Sequence, residues 1–283
     1  MSAFPKGILI PVGGSEDRNS AAMRKSQDYR LDFLTEGVLA TILKISGRSK
    51  PNIEIIPTAS SVPREVGQDY THAFDTLGHK VGVLNIKDHD DCMRPTYLKR
   101  VREADIVLFS GGDQSKITRA FLGTEMLQIL QNRYRNEAGF VIAGTSAGAM
   151  AMSEVMIEGG NSSFGLNKSF IPIGLGLCLA PELIVDSHFV RRGRYSRLMQ
   201  ALASSPQKIG VGLSDDTGIC IREGRYFEVI GSEHVTVMRA AQKLLVNNYS
   251  VIKDNDPIAI APLELLSLTR GMRYDFQKGE MML

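Results

Sequence analysis

Cysteine is scarce in this 283-residue sequence, and its spacing excludes two classes of protein. The three cysteines, Cys92, Cys178 and Cys220, are far apart along the chain, and no two of them form a Cys-x-x-Cys pair. A disulfide framework or a structural zinc site needs more cysteines at closer, regular spacing. The sequence therefore predicts neither disulfides nor a metal site, and it favours a reducing compartment.

An excess of charge of one sign and long hydrophobic runs are also lacking. The formal net charge is only +2 at pH 7, so neither nucleic acid nor an anionic membrane is an expected partner. The first apolar run, Ile8-Leu9-Ile10, is interrupted by Pro11 and is too short for a signal peptide or a membrane span. We therefore expect a cytoplasmic protein.

No Pro/Gly-rich linker, internal repeat or low-complexity segment divides the chain. We therefore expect one domain over residues 1–283, which is long enough to bury a large core.

Short apolar runs alternate with helical patterns through the first half of the chain. Leu31, Leu34, Val38, Ile42 and Ile45 recur at helical spacing between the first two runs. Apolar strands that alternate with helices are typical of a parallel sheet covered on both faces. The pattern predicts a three-layer, doubly wound, mostly parallel α/β fold. The predicted strands are residues 7–12, 53–56, 81–84, 106–109 and 140–143.

From about residue 205 the pattern changes to closely spaced strands separated by turn signals such as Asp215-Asp216 and Glu223-Gly224. We expect this β-rich part, residues 205–283, to continue the same sheet in antiparallel fashion as a C-terminal extension. The predicted strands there are residues 209–213, 218–221, 226–230, 235–238 and 244–246.

Polar or glycine-rich loops follow several predicted strands, at residues 13–17, 58–60 and 111–114, and Ser146 follows another strand. Ligands of doubly wound sheets bind beyond the carboxyl ends of the strands. These loops therefore predict one site at that edge of the sheet.

Gly144-Thr145-Ser146-Ala147-Gly148 joins a predicted strand to a helix. A Gly-x-Ser-x-Gly pattern in this context is typical of a nucleophile elbow, in which the glycines leave space for a strained turn. Ser146 is then the candidate nucleophile, and the N–H of Ala147 faces the developing oxyanion. The alternative is a tight packing turn without chemistry.

A serine nucleophile needs a general base, which is usually a histidine. His188 ends the polar segment Asp186-Ser187-His188 after a predicted strand, residues 183–185, so we expect it at the same edge as Ser146. The alternative for any histidine is a solvated or core-satisfied ring. We expect that alternative for the remaining ones, His72, His79, His89 and His234.

Gly111-Gly112-Asp113-Gln114 follows another strand. Paired glycines allow close approach of a backbone N–H, so Gly112 or Asp113 is a candidate second oxyanion donor, and Gln114 is a candidate substrate-orienting amide. The alternative is a turn and helix cap made by Asp113 or Ser115.

A run of arginines, Arg191 to Arg197, follows the candidate base. Arg194 and Arg197 are three residues apart and are expected on one helical face. Guanidinium groups bind carboxylates in a bidentate manner, which favours an acidic substrate. The alternative is a solvated helix face.

Six ordered motifs between residues 7 and 222 resemble those of the cyanophycinases, within the serine peptidases that include aspartyl dipeptidase. The motifs are Gly13-Gly14-Ser15-Glu16-Asp17, Gly111-Gly112-Asp113-Gln114, Gly144-Thr145-Ser146-Ala147-Gly148-Ala149, Met156-Ile157-Glu158-Gly159-Gly160, Asp186-Ser187-His188-Phe189 with Arg192, Arg194 and Arg197, and Gly210-Val211-Gly212-Leu213-Ser214-Asp215-Asp216-Thr217.

The resemblance implies a fold like that of the class I glutamine amidotransferases and a cytoplasmic, metal-free and cofactor-free homodimer. It implies a substrate, cyanophycin, with a poly-aspartate backbone and an arginine on each side-chain carboxyl, cleaved through an acyl-enzyme to β-Asp-Arg dipeptides. Ser146 is implied as the nucleophile and His188 as the base. The substrate-contacting positions are Gln114, Arg192, Arg194 and Arg197. The acids Glu16, Asp17 and Asp113 are expected to be exposed toward the substrate's arginines.

The resemblance also implies an acid that orients the histidine, in the loop after Met156-Ile157-Glu158-Gly159-Gly160. Residues 159–181 contain no Asp or Glu, so Asn161, Glu158 or a backbone carbonyl is the expected partner of His188. The resemblance further implies a glutamine before the histidine, where this sequence has Ser187. Two other functions stay open: a related peptidase acting on short aspartyl peptides, and a catalytically weak protein that binds acidic peptides.

Overall fold

The computed structural model describes residues 4–20 and 30–282. The predicted single unit over residues 1–283 thus includes residues 1–3, 21–29 and 283, which lie outside the described residues. The helices of the described part are α1 (Val38–Ser46), α2 (Pro63–Thr76), α3 (Pro95–Glu103), α4 (Gln114–Phe121), α5 (Glu125–Asn136), α6 (Ala147–Met150) and α7 (Tyr195–Ser204), with 3-10 turns at Asp91–Met93 and Ser162–Phe164. Within those residues, no helix is both long and apolar enough to cross a membrane.

The strands of the described part include the eleven predicted ones, within two residues at each end, and six that the apolar pattern did not indicate. The strands are β1 (Ile8–Val12), β2 (Ile53–Ile56), β3 (Val81–Val83), β4 (Ile106–Phe109), β5 (Val141–Thr145), β6 (Val155–Ile157), β7 (Ile173–Leu175), β8 (Leu183–Asp186), β9 (Ile209–Leu213), β10 (Thr217–Arg222), β11 (Tyr226–Gly231), β12 (Val235–Ala240), β13 (Val246–Asn247), β14 (Ile260–Ala261), β15 (Leu263–Leu268), β16 (Arg273–Asp275) and β17 (Glu280–Met282).

Nine strands form one large sheet, in the order β17-β16-β11-β10-β1-β5-β4-β2-β3. The five strands from β1 to β3 in that order are parallel to their neighbours, and the other four are added in antiparallel fashion. The carboxyl ends of β1, β5, β4, β2 and β3 therefore meet at one edge, where the sequence predicts the site.

Helices cover both faces of the parallel part of the sheet. Leu9 of β1 packs in a core cluster with buried side chains of α3, α4 and α5. Its neighbours Ile8 and Ile10 pack in a second cluster with α1 and α2. Because successive side chains of a strand point to opposite faces, an all-apolar strand such as β1 fits only between two helical layers.

The described C-terminal part is divided among three sheets, one of them the two-stranded pair β13-β14, which differs from the predicted single continuation. β10 and β11 extend the large sheet, but β9, β12 and β15 form a separate four-stranded sheet with β8, in the order β15-β12-β9-β8. β8 and β9 are parallel, with Asp186 opposite Gly212. The end of β9 consequently lies beside the end of β8, which leads to His188.

The first helix begins later than the sequence pattern predicts. α1 starts at Val38, whereas Leu34 is 56% exposed. The backbone N–H groups of Glu36 and Gly37 both donate to the carbonyl of Asp32. This turn ahead of Val38 ends the helical register of the apolar pattern.

Candidate active site

Ser146 lies at the turn from β5 into α6 with an unusual backbone conformation, φ 50° and ψ −109°. Its N–H donates to the carbonyl of Val12 at 2.8 Å. A Cβ at Gly144 would lie 2.6 Å from the backbone of Gly148, and a Cβ at Gly148 would lie 2.4 Å from the carbonyl oxygen of Phe109. The two glycines are therefore needed for space at this turn, and the hydroxyl of Ser146 is half-buried.

His188 follows β8 and lies against Ser146. Its Nε2 is 3.0 Å from the Oγ of Ser146. The backbone N–H of His188 donates to the carbonyl of Gly13 at 2.9 Å, and a Cβ added to Gly14 would lie 2.4 Å from the imidazole Cε1. The loop after β1 thus packs directly on the ring, and its lack of a side chain at residue 14 makes room for the imidazole.

Asp215 contacts the other ring nitrogen, with its Oδ1 2.5 Å from Nδ1 of His188. The Oδ2 of Asp215 accepts from Nη1 of Arg191 at 3.1 Å. Burial alone would raise the pKa of Asp215, but the hydrogen bonds and charges of His188 and Arg191 outweigh burial and lower it. The carboxylate is therefore ionised at neutral pH and holds the imidazole with Nδ1–H as the donor.

The partner of His188 thus differs from the predicted ones, Asn161 and Glu158. The side chain of Asn161 accepts from the N–H of Ser163 at 3.0 Å, as a cap. Glu158 is exposed, and its carboxylate lies over Gly174. The physical reason is the parallel pairing of β8 and β9, which brings the turn after β9, with Asp215, to the imidazole.

Two of the predicted oxyanion donors, Ala147 and Gly112, lie close to Ser146 along the chain or in the fold. Ala147 is the first residue of α6, and first-turn amides have no partner within their helix. Gly112 has φ 141°, and a Cβ at its neighbour Gly111 would lie 3.3 Å from the Cβ of Ser146. The N–H of Asp113, the other predicted donor, is used: it donates to the carbonyl of Ala59 at 2.9 Å.

The side chains of Asp113 and Gln114 have structural partners. Asp113 accepts from the N–H of Ser115 at 2.8 Å and caps α4, which is the alternative that the sequence left open. Gln114 is buried, and its amide nitrogen donates to the carbonyl of Ile157 at 2.7 Å. Gln114 therefore ties α4 to β6 at the edge of the site.

The predicted anchoring arginines differ in their surroundings, because Arg194 and Arg197 bind the fully buried Asp186 and Arg192 does not. Arg197 donates twice to this carboxylate, at 2.6 and 2.5 Å, and Arg194 donates at 3.1 Å. Arg197 is buried, and burial lowers the pKa of Arg194 to about 10. Arg192 is exposed, as is Arg191. Within this arginine loop, residues 191–194, the exposed guanidinium groups are therefore those of Arg191 and Arg192.

Three further acids lie beneath the site. Glu16 and Asp17 are each only 3% exposed, which corrects the expectation that they are exposed. Glu16 accepts from the hydroxyls of Tyr70 and Thr145. Asp216 accepts from the N–H of Asp17 and from the hydroxyl of Ser232, and burial raises its pKa to about 6. This buried network holds the loop that packs on His188.

Metal ligation is not supported by the described side chains. Across residues 4–20 and 30–282, no group of three or more His, Cys, Asp or Glu side chains is arranged to hold a metal ion. The arrangement at Ser146 is instead that of a hydroxyl, an imidazole and a carboxylate in series, which suits proton transfer from the hydroxyl.

Comparisons with known proteins agree with this chemistry. The model of the family described as Peptidase family S51 matches residues 32–229, a range that includes Ser146, His188 and Asp215. The chain is 31% identical to a cyanophycinase from Trichormus variabilis, over 95% of this chain and 85% of the relative. It is 29% identical to a cyanophycinase from Geminocystis herdmanii, over 97% and 96%. The fold is similar to that in a crystal structure of a peptidase from an acI-B1 Actinobacterium, with a TM-score of 0.66, 20% identity and 97% and 99% coverage.

Proposed function

Because the chain belongs to peptidase family S51, we propose that it is a serine exopeptidase that hydrolyses cyanophycin to β-Asp-Arg dipeptides. The observation that carries the proposal is the 3.0 Å contact between Ser146 Oγ and His188 Nε2, with Asp215 on the other ring nitrogen. The relatives named cyanophycinase, which match 95% or more of the chain, support the choice of substrate.

The reaction begins with proton transfer from Ser146 to Nε2 of His188. The Ser146 Oγ then attacks the carbonyl of the backbone peptide bond that joins the terminal β-Asp-Arg unit to the rest of the chain. The imidazolium that forms is stabilised by the ionised Asp215, whose second oxygen is held by Arg191. His188 next gives its proton to the leaving amine, and water hydrolyses the acyl-enzyme. We interpret the turn at Ser146 as a nucleophile elbow, since its φ of 50° occurs between a strand and a helix.

The oxyanion is bound by the N–H groups of Ala147 and Gly112 in this proposal. Both lie beside Ser146, and loss of one such donor typically costs roughly 10²–10³ in rate. Because the N–H of Asp113 already donates to Ala59, Gly112 is the better candidate for the second donor.

Substrate anchoring is assigned to the exposed guanidinium of Arg192. Arg194 and Arg197 are instead paired with the buried Asp186. The resemblance to the cyanophycinases further leads us to propose a single-domain, cytoplasmic homodimer with a glutamine amidotransferase-like core. Gel filtration with light scattering tests the dimer.

A second candidate is a peptidase for short aspartyl peptides. Ser187 stands where the cyanophycinase resemblance implies glutamine, and its Oγ lies 3.5 Å from that of Ser146. A substitution this close to the nucleophile favours a changed substrate preference. A panel of aspartyl dipeptides, compared with cyanophycin by kcat/KM, distinguishes the two candidates.

The experiment that tests the function is incubation of the protein and its Ser146→Ala variant with insoluble cyanophycin. Mass spectrometry of the soluble fraction is expected to show β-Asp-Arg from the parent protein only. Equal release by both proteins would contradict the role of Ser146. Release by neither would contradict cyanophycin as the substrate.

A further inference from the structure

A basic cavity opens at the same edge of the sheet as Ser146. It measures about 490 Å³ and is lined by the segments that follow β2 and β3, together with the start of α2 and α4. Three of its eight lining residues are cations, Arg64, Lys87 and Lys116, and the other five carry no charge. The cavity is therefore suited to an anionic group.

None of these cations is paired with a carboxylate of the described residues. Arg64 and Lys87 are exposed, and Lys116 is half-buried with its Nζ 3.4 Å from the carbonyl of Ser60. Among the described residues, none of the three forms an ion pair with a carboxylate within 4 Å. Three positive charges around one cavity, none of them in an ion pair with a described carboxylate, attract a carboxylate from solution.

A continuous surface joins the cavity to the nucleophile. A Cβ at Gly111 would lie 3.3 Å from the Cβ of Ser146, and a Cβ at Gly112 would lie 2.1 Å from Ala59 O and 2.8 Å from the N of Ser60. Ser60 itself lines the cavity. The loops therefore follow one another from Ser146 to the cavity without an intervening element.

The strand order places this cavity opposite the arginine loop. The backbone N–H of His188, which precedes that loop, donates to the carbonyl of Gly13 after β1, and β1 lies next to β5. On the opposite side of β5, the sheet continues with β4, β2 and β3. With about 4.8 Å between neighbouring strands, the cavity lies roughly 10–14 Å from Ser146 across the sheet edge. An extended chain covers this distance in about three or four residues.

Cyanophycin carries an anionic group at that spacing. Each backbone unit holds an arginine through its α-amino group, so each branch ends in both a guanidinium and a free carboxylate. We propose that Arg64, Lys87 and Lys116 form a second substrate subsite, which binds the carboxylate of an arginine branch two or three units from the scissile bond. This inference rests on the proposed function. It assigns the terminal unit to the side of Arg192 and the body of the polymer to the basic cavity.

Binding to an inactive enzyme tests the subsite without turnover. The Ser146→Ala protein is titrated calorimetrically with synthetic β-Asp-Arg oligomers of two and five units. In this background, the double variant R64Q/K87Q is expected to raise the Kd of the five-unit oligomer about tenfold, because charge-assisted contacts are lost. The Kd of the two-unit oligomer is expected to change less than twofold, because it ends before the cavity.

The matched control is K50Q/K80Q, which removes the same net charge. Lys50 and Lys80 are exposed and lie just before β2 and β3, at the opposite ends of the strands whose carboxyl ends border the cavity. We expect this variant to bind both oligomers like the Ser146→Ala parent. An equal loss in both double variants would show general attraction of the polymer and would overturn the subsite.

A chemically modified ligand identifies which carboxylate is bound. A five-unit oligomer with its branch carboxylates converted to amides is expected to bind about tenfold more weakly, with no further loss in R64Q/K87Q, because the two changes remove the same contact. If only amidation of the chain-terminal carboxylate has this effect, the assignment to a branch is wrong. Five-unit binding that is unchanged in R64Q/K87Q overturns the subsite but leaves the proposed function intact. If no oligomer binds and the parent protein releases no dipeptide, the proposed function fails and the subsite with it.

Discussion

Asp215 Oδ1 lies 2.5 Å from Nδ1 of His188, and its other oxygen accepts from Arg191. The carboxylate is thereby held between a ring and an exposed guanidinium. Both partners lower its pKa against the effect of burial. The proton on Nδ1 is fixed by this contact, and Nε2 is left to accept the proton of Ser146.

Replacement of Asp215 by Asn is expected to lower kcat by about 10³–10⁴, since the amide no longer stabilises the imidazolium and favours the wrong tautomer. The measurement is the rate of dipeptide release at saturating substrate. Asn161→Ala and Glu158→Gln are the controls, and we expect both to retain kcat within about threefold of the parent. If either control loses most of its kcat while Asp215→Asn stays active, the residue that orients His188 lies in the loop after β6 and is not Asp215.

Replacement of Arg197 by Met is expected to destabilise the fold by about 3 kcal/mol. Asp186 is fully buried, and removal of its main partner leaves a poorly compensated charge. The free energy of unfolding is measured in urea at pH 7. Arg192→Gln, at an exposed position of the arginine loop, is expected to stay within about 0.5 kcal/mol of the parent but to raise KM. Equal stability of the two variants would contradict the structural role of Arg197.

Much of the fold follows from local sequence, because buried parallel strands must be apolar along their whole length. β2, β4 and β9 have the predicted bounds. The place of Ser146 was predictable for a related reason, since a polar residue directly after such a strand lies at the carboxyl edge of the sheet. His188 reaches Ser146 from β8, a strand of the other sheet.

The partner of His188 was harder to predict because it depends on strand pairing. Asp215 precedes β10 by two residues and comes 27 residues after His188. Only the parallel pairing of β8 with β9, in a second sheet, brings it to the ring. The pair Asp215-Asp216 was visible as a turn signal, but a pattern of turns does not specify which sheet a strand joins. The burial of Arg197 was missed for a similar reason, because its partner Asp186 ends a different element.

Stability is expected to depend on pH through Asp216. Burial raises its pKa to about 6 from an ordinary value of 3.8, so the folded state binds the proton more tightly than the unfolded state. The stabilisation of the fold by protonated Asp216 is present in full below about pH 3.8, and it is lost as pH rises through about 6. The loss amounts to about 2–3 kcal/mol for a shift of about two units.

Asp216→Asn is the variant that tests this pH dependence, because the amide oxygen still accepts from Asp17 and the amide cannot ionise. Relative to the parent, its free energy of unfolding in urea is expected to increase by about 2–3 kcal/mol between pH 4 and pH 8. Curves that stay parallel over that interval would show that Asp216 is not the group that titrates there.

Gly14 and His188 allow a test of how closely the imidazole must be held. A Cβ at residue 14 would lie 2.4 Å from Cε1 and 2.6 Å from Nε2 of the ring, so Gly14→Ala is expected to displace the base and lower kcat by about 10² or more. Gly78→Ala is the matched control: its φ of 81° is also positive, but no atom lies within 4 Å of the added Cβ. Both variants bear the backbone strain of about 1–2 kcal/mol, which thermal unfolding measures, and only Gly14→Ala should also lose turnover. If the two variants lose activity equally, backbone strain and not displacement of His188 accounts for the effect.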